Sequence, residues 1–177
     1  MFHSGFGHTR VVAERVQAGA ESIPGTKGRL IPVEEVDAHW VELEAADAIV
    51  FGSPTYLGNV SASFKAFMDA SSKPWLEQKW KDKLAAGFTI SGSPSGDKLN
   101  TLQSLMIVAM QHGMIWIGNA EMPYNEEGIN RLGSFTGLMA QAGQVAPDVE
   151  PNLADRKSAE RLGQRIASAT ARWAQVS

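Results

Sequence analysis

The 177-residue sequence contains no cysteine. Disulfides, thiolate nucleophiles and thiolate-held metal or iron–sulfur centres are therefore excluded. No apolar run approaches the ~20 residues that cross a bilayer, so no membrane span is expected. No basic stretch followed by an apolar one precedes the first motif, so no secretory leader is expected and the reading is a cytoplasmic protein. Positive charge is not in excess either. Sixteen Lys and Arg face nineteen Asp and Glu, for a formal net charge of -3. Nothing resembles the basic stripe of a nucleic-acid partner. The four histidines, His3, His8, His39 and His112, show no i,i+4 spacing and join no acidic cluster, so no metal site is expected. Internal repeats, low-complexity tracts and linkers are also lacking.

What remains is ordinary globular material. Hydrophobic residues make up 44% and charged residues 20%, which suits a single domain over 1–177. The periodicity predicts a helix over 8–22 ended by Pro24-Gly25, a short strand at 29–33 and a second helix over 34–46. Asp47 to Gly52 reads as a buried strand, and a helix follows with Val60, Phe64, Phe67 and Met68 inward. Leu84 to Ile90 is the next buried strand. A helix from Asp97 to His112 places Leu99, Leu102, Met106 and Ala109 on one face, and Gly113 ends it. A strand at 114–118 comes next. Residues 119–150 show no clear period, and loops of that length are usually functional or hide small elements. The last helix begins near Asn152, with Leu162, Ile166, Ala169 and Trp173 inward. Alternating elements of this kind imply a parallel α/β sheet covered on both faces.

In such sheets ligands bind beyond the carboxyl ends of the strands. Three loops rich in glycine and hydroxyls fall at such ends, at 4–9, 53–59 and 91–97, and are expected to converge on one crevice. The first, Ser4-Gly5-Phe6-Gly7-His8-Thr9, opens a helix and suits an anion, because glycines let N–H groups turn outward and the helix adds its positive end. It lacks the lysine of a P-loop and the G-x-G-x-x-G of a dinucleotide site, so a single phosphate monoester fits best. As a bare motif it reads equally well as a turn that caps a helix. In the second, SPTYLGN, Tyr56 is placed to stack on a flat ligand. The third, SGSPSGD, allows close backbone approach. It is not a nucleophile elbow, because Pro94 stands where G-x-S-x-G needs serine. His112, at a helix end, reads either as a favourable terminal charge or as a donor facing the ligand.

HSGFGHT, GSPTYLGNVSASFKAFMDA and SGSPSGDKLNTLQSLMIVAMQHGMIWIG resemble, in order and spacing, the flavodoxin-like NAD(P)H:quinone oxidoreductases of the WrbA (tryptophan-repressor-binding-protein) family. The likeness runs from residue 2 to about 145. It implies a doubly wound, three-layer α/β/α fold with a five-stranded parallel sheet of order 2-1-3-4-5 and FMN at the switch point. It also implies that Ser4, Gly5, Phe6, Gly7, His8 and Thr9 hold the FMN phosphate. Pro54, Thr55, Tyr56, Leu57 and Gly58 would flank the isoalloxazine, and Ser91, Gly92, Ser93, Pro94, Ser95 and Gly96 would border its other edge. His112 and Trp75 match catalytic-pocket residues, Trp75 from a neighbouring subunit. The implied donor is NADPH or NADH, the acceptor a quinone, and the assembly a homodimer or homotetramer. Two departures stand out: the stretch from Pro32 to Asp47 is short, and several relatives carry arginine where Tyr56 stands. The alternatives are an electron-transfer flavodoxin and a reductase of free FMN. Only Met1 and Phe2 precede His3, so the first strand is expected to be truncated and the native start to lie upstream.

Overall fold

The structure, a computed structural model, describes residues 1–174. Its centre is a pair of parallel strands, β1 (Ala48–Tyr56) and β3 (Leu84–Ser91), in register from Ala48 opposite Leu84 to Pro54 opposite Ile90. Both are buried almost throughout, as nearly continuous apolar strands must be when helices cover both faces. A short antiparallel β2 (Asn59–Val60) folds back on the end of β1.

The far side of β3 is shared. Two-residue β4 (Ile115–Trp116) pairs with its beginning, and β5 (Leu138–Gln141) pairs with its end. The aperiodic 119–150 region therefore conceals a strand. Four residues are too few for alternation to show in sequence.

On the near side of β1, Phe2 bridges Gly52 and Pro32 at once, both in parallel sense. Phe2 N–H donates to Ile31 O, Val33 N–H to Phe2 O, Gly52 N–H to Met1 O and His3 N–H to Gly52 O. The spatial order is thus 29–33, 1–3, β1, β3, then β4 and β5, which is the expected 2-1-3-4-5 order of a flavodoxin-like sheet. Residues 1–3 occupy the first strand's position between 29–33 and β1. The Met1 amine is buried against Val50 O at 2.9 Å, and burial pushes it down to about 5. A slot of about 220 Å³ lies beside it, walled by Leu30, Ile31, Ala48 and Val50 and closed by Ala13 and Val16. The segment 29–33 is extended but forms no ladder, because only Phe2 lies beside it.

Helices α1 (His8–Glu21) and α6 (Leu153–Ala174) cover one face, over Phe2, Phe88 and Leu138. They approach closely through two glycines. A Cβ at Gly19 would collide with Glu160 O, and one at Gly163 with Val16 O. The other face packs Phe51, Phe64, Phe67 and Trp80 under α3 (Ala62–Ala70), α4 (Ser72–Leu76) and α5 (Lys98–Gln111).

Some expected elements differ. The helix over 34–46 is a 3-10 turn, Val33–Ala38, followed by α2 (Trp40–Ala45), with no side-chain cap at either start. The inward face of α5 runs through Leu102, Leu105 and Ala109, while Leu99 is half exposed. Trp173 is also exposed, with its indole N–H on Asp82 O. The start of α6 is capped, Asn152 Oδ1 accepting from Asp155 N–H at 2.9 Å. No described helix is long and apolar enough to cross a membrane.

Candidate functional site

The carboxyl ends of residues 1–3, β1, β3 and β5 open on one cavity of about 560 Å³. That volume falls within the roughly 300–1,000 Å³ of small-molecule sites. Phe6, His8 and Thr9 line it from the first loop, Pro54, Thr55 and Tyr56 from the second, and Ser91 and Gly92 from the third. The three loops therefore meet as their positions implied. A fourth segment, Ala142 to Val145, closes the remaining side. Sequence reading missed it. Its one signal was a Gly-Gln pair inside a region without period, and only the pairing of β5 with β3 brings it here.

The first loop is built as an anion cradle. Ser4 Oγ accepts from Arg10 N–H at 3.0 Å, tying the loop's start to the third residue of α1. Gly7 sits at φ 90°, a conformation that favours glycine, and a Cβ there would lie 2.6 Å from Pro147. Gly5 passes beneath Tyr56, and a Cβ on it would lie 2.6 Å from the phenol oxygen. Among the described residues the N–H groups of residues 5–9 have no acceptor. The first turn of α1 carries no acidic residue. Free N–H groups at a helix N-terminus, reached through glycines, fit a phosphate. His8 Nε2–H donates to Val145 O at 2.8 Å, which joins the cradle to the fourth segment.

The rest of the wall is mostly apolar. Phe6 and Tyr56 meet edge to face at the mouth, centroids 6.4 Å apart, with Phe6 77% and Tyr56 40% exposed. Partial burial pushes the Tyr56 phenol up. Thr55 does not offer its hydroxyl to a ligand. Oγ1 is shared with Thr89 Oγ1 and donated to Thr101 Oγ1, both at 2.8 Å, in a buried floor beneath the cavity. Behind the third loop, Arg131 grips Asp155 with two bonds of 2.8 and 2.9 Å. Asp155 also accepts Gln141 N–H, and Gln141 Nε2 donates to Gly92 O at 3.1 Å.

Not every residue expected here lines the cavity. Leu57, Gly58 and Ser93 to Gly96 lie beyond it. Leu57 points into solvent, and Gly58 O is taken by Asn100. His112 and Trp75 are brought together, but elsewhere, at a shallow depression between α4 and the end of α5. His112 is buried, its Nε2 on Ser71 Oγ at 2.9 Å. Burial, with no charged partner, pushes its imidazole down to about 4. Within one chain neither reaches the cavity, because α5 ends at the opposite pole from its loop.

Comparison with known proteins agrees with this geometry. The sequence pattern of the NADPH-dependent FMN reductase family matches residues 24–127. The chain is 36% identical to Flavodoxin FldP of Pseudomonas aeruginosa over 94% of this chain and 96% of that one. It is 33% identical to an NAD(P)H dehydrogenase (quinone) of Archaeoglobus fulgidus, over 94% and 93% of the two chains. A crystal structure of a flavodoxin, WrbA-like protein from Agrobacterium tumefaciens superposes with a TM-score of 0.72 at 40% identity, covering 97% of this chain and 94% of that one. An orphaned N–H cradle beside a flat apolar cavity is what the phosphate and ring of FMN require, and the chain belongs to the WrbA-like, flavodoxin-fold branch of the NADPH-dependent FMN reductase family, FMN-dependent oxidoreductases that draw electrons from NAD(P)H.

Proposed function

We propose that this chain transfers two electrons from NAD(P)H to quinones through bound FMN. The observation that carries the reading is the cavity itself, with an uncharged phosphate cradle at one end and an open aromatic mouth at the other. FMN, when bound, supplies the redox chemistry, taking a hydride from nicotinamide and returning two electrons to a quinone. The chain binds and orients. The free N–H groups of residues 5–9 would hold the phosphate. Pro54, Ile90 and Ala142 exclude water from the ring's surroundings, and Tyr56 and Phe6 leave room at the mouth for a second planar molecule. Tyr56, a phenol that carries its proton at neutral pH, is a hydrogen-bond donor for a carbonyl oxygen at that mouth. Trp75, 42% exposed, belongs to this reading only through a second copy, as in a homodimer or homotetramer.

A second reading, a carrier that exchanges electrons with protein partners, is favoured by the likeness to a protein named flavodoxin. One experiment separates them. The protein loaded with FMN is mixed anaerobically with NADPH, and then with benzoquinone, in a stopped-flow absorbance cell. Rapid bleaching followed by recovery supports the quinone reductase. A flavin that ignores NADPH supports the carrier. Protein that retains no FMN on loading and turns over only FMN added in excess is a reductase of free flavin.

A further inference from the structure

Lys98 opens α5 and is wholly buried beneath the 91–97 loop. Its ammonium donates to Ser91 Oγ at 3.0 Å and to Ser93 O at 2.8 Å. It makes no ion pair among the described residues. Asp155, the carboxylate that acts on it through space, is already gripped by Arg131 and by Gln141 N–H. Burying an ammonium without a contacting carboxylate is costly, and an apolar side chain of similar length would avoid that cost. Burial pulls the ammonium down to about 8, which still leaves it charged at neutral pH.

The position of this cation bears on the cavity. Ser91, which lines the cavity, is also the residue Lys98 holds. Ser91 Oγ in turn donates to Ser93 O at 3.0 Å, so ammonium, hydroxyl and carbonyl form a closed triangle. The Gly92 carbonyl is drawn inward by Gln141 and the Ser93 carbonyl by Lys98. Both carbonyls are thus held by the protein, as is that of Ser91, which accepts from Ala142 N–H.

We propose that Lys98 is a positioning residue and buried counter-charge for the flavin-binding wall. It holds the Ser91–Ser93 turn with its carbonyls withdrawn, and it favours negative charge in the cavity, so that reduced FMN gains more from it than oxidised FMN. This rests on the FMN reading above.

The test uses the FMN-loaded protein and two variants. Lys98→Met removes the charge at similar length. Ser91→Ala removes one contact and leaves the charge in place. Midpoint potentials are measured by dye equilibration during chemical reduction, and affinity for oxidised FMN by fluorescence titration. Hydrogen exchange of the 91–97 segment is followed in the flavin-free protein, and circular dichroism reports folding. Lys98→Met is expected to lower the potential and to weaken the preference for reduced over oxidised FMN about tenfold, the size of an ordinary coupling. Ser91→Ala is expected to speed exchange in 91–97 and to weaken both redox forms alike, leaving the potential near the parent's. A folded Lys98→Met protein with unchanged potential and exchange overturns the proposal while the flavin reading stands. Should Lys98→Met fail to fold, a Ser91→Ala protein with unchanged exchange and affinity overturns it. A parent protein that binds no FMN overturns both readings.

Discussion

The imidazole of His112 stacks on the indole of Trp80 with centroids 4.1 Å apart, and its Nε2 meets Ser71 Oγ. Ser71 spends its one hydroxyl proton on Met68 O at 2.7 Å, so Nε2 must carry the hydrogen and Nδ1 is left with a bare lone pair. Among the described residues Nδ1 has no partner. Protonation would create a buried N–H without an acceptor, which is why burial lowers this group from 6.5 to about 4.

The consequence for stability follows from linkage. Above pH 6.5 both folded and unfolded imidazoles are neutral, and the full stability is present. As pH falls from 6.5 to 4 only the unfolded state takes up the proton, so stability drops, and below 4 the loss is constant. The gap corresponds to at most about 3 kcal/mol. Urea unfolding of the parent is expected to show this loss between pH 7 and 4, and His112→Phe, which keeps the stack, to show a flatter profile. Parallel profiles for the two proteins would remove His112 as the cause.

Gly163 and Gly19 allow α6 and α1 to touch backbone to backbone. Gly163→Ala is expected to lower the urea midpoint by an amount equivalent to about 1–3 kcal/mol, because the carbonyl of Val16 cannot move aside as a side chain would. The effect should reach FMN affinity only weakly, since the cradle lies at the other end of α1. A change within about 0.5 kcal/mol would mean that the helices slide apart freely.

Gly5→Ala should do the reverse. Its Cβ would press on the Tyr56 hydroxyl, the far end of a rim side chain that is 40% exposed and can swing. Stability should change by less than about 1 kcal/mol. FMN affinity should fall about tenfold, as the phenol moves and the cradle narrows. Isothermal titration with FMN, alongside thermal melts of the flavin-free protein, separates the two quantities. Equal losses in both would place Gly5 in the scaffold instead.

Much of this protein is legible in residue order. The strands read at 47–52 and 84–90 follow from apolar runs, and the helices read from 8, 97 and near 152 from runs long enough to show a period; β1 goes on to Tyr56 through residues that read as loop. The three loops could be assigned to one crevice before any coordinates, since in a parallel sheet strand ends with glycines and hydroxyls share one side. Short or split elements were not legible. The four-residue strand at 138–141 carries too few side chains for alternation to register, the strand read at 114–118 is reduced to Ile115–Trp116, and the 34–46 helix is split at His39, whose φ of -125° leaves the helical region.

Tertiary structure decided the rest. Local sequence specifies backbone conformation, and so it determined that a glycine loop at the start of α1 would offer its N–H groups. It cannot specify which distant groups share a low-dielectric space. Only packing put Ala142–Val145 against the cradle, drew Lys98 under the third loop, consumed the Thr55 hydroxyl in a threonine floor and turned His112 inward onto Trp80. Each of those roles depends on burial and on partners tens of residues away, and these exist only once the sheet has formed.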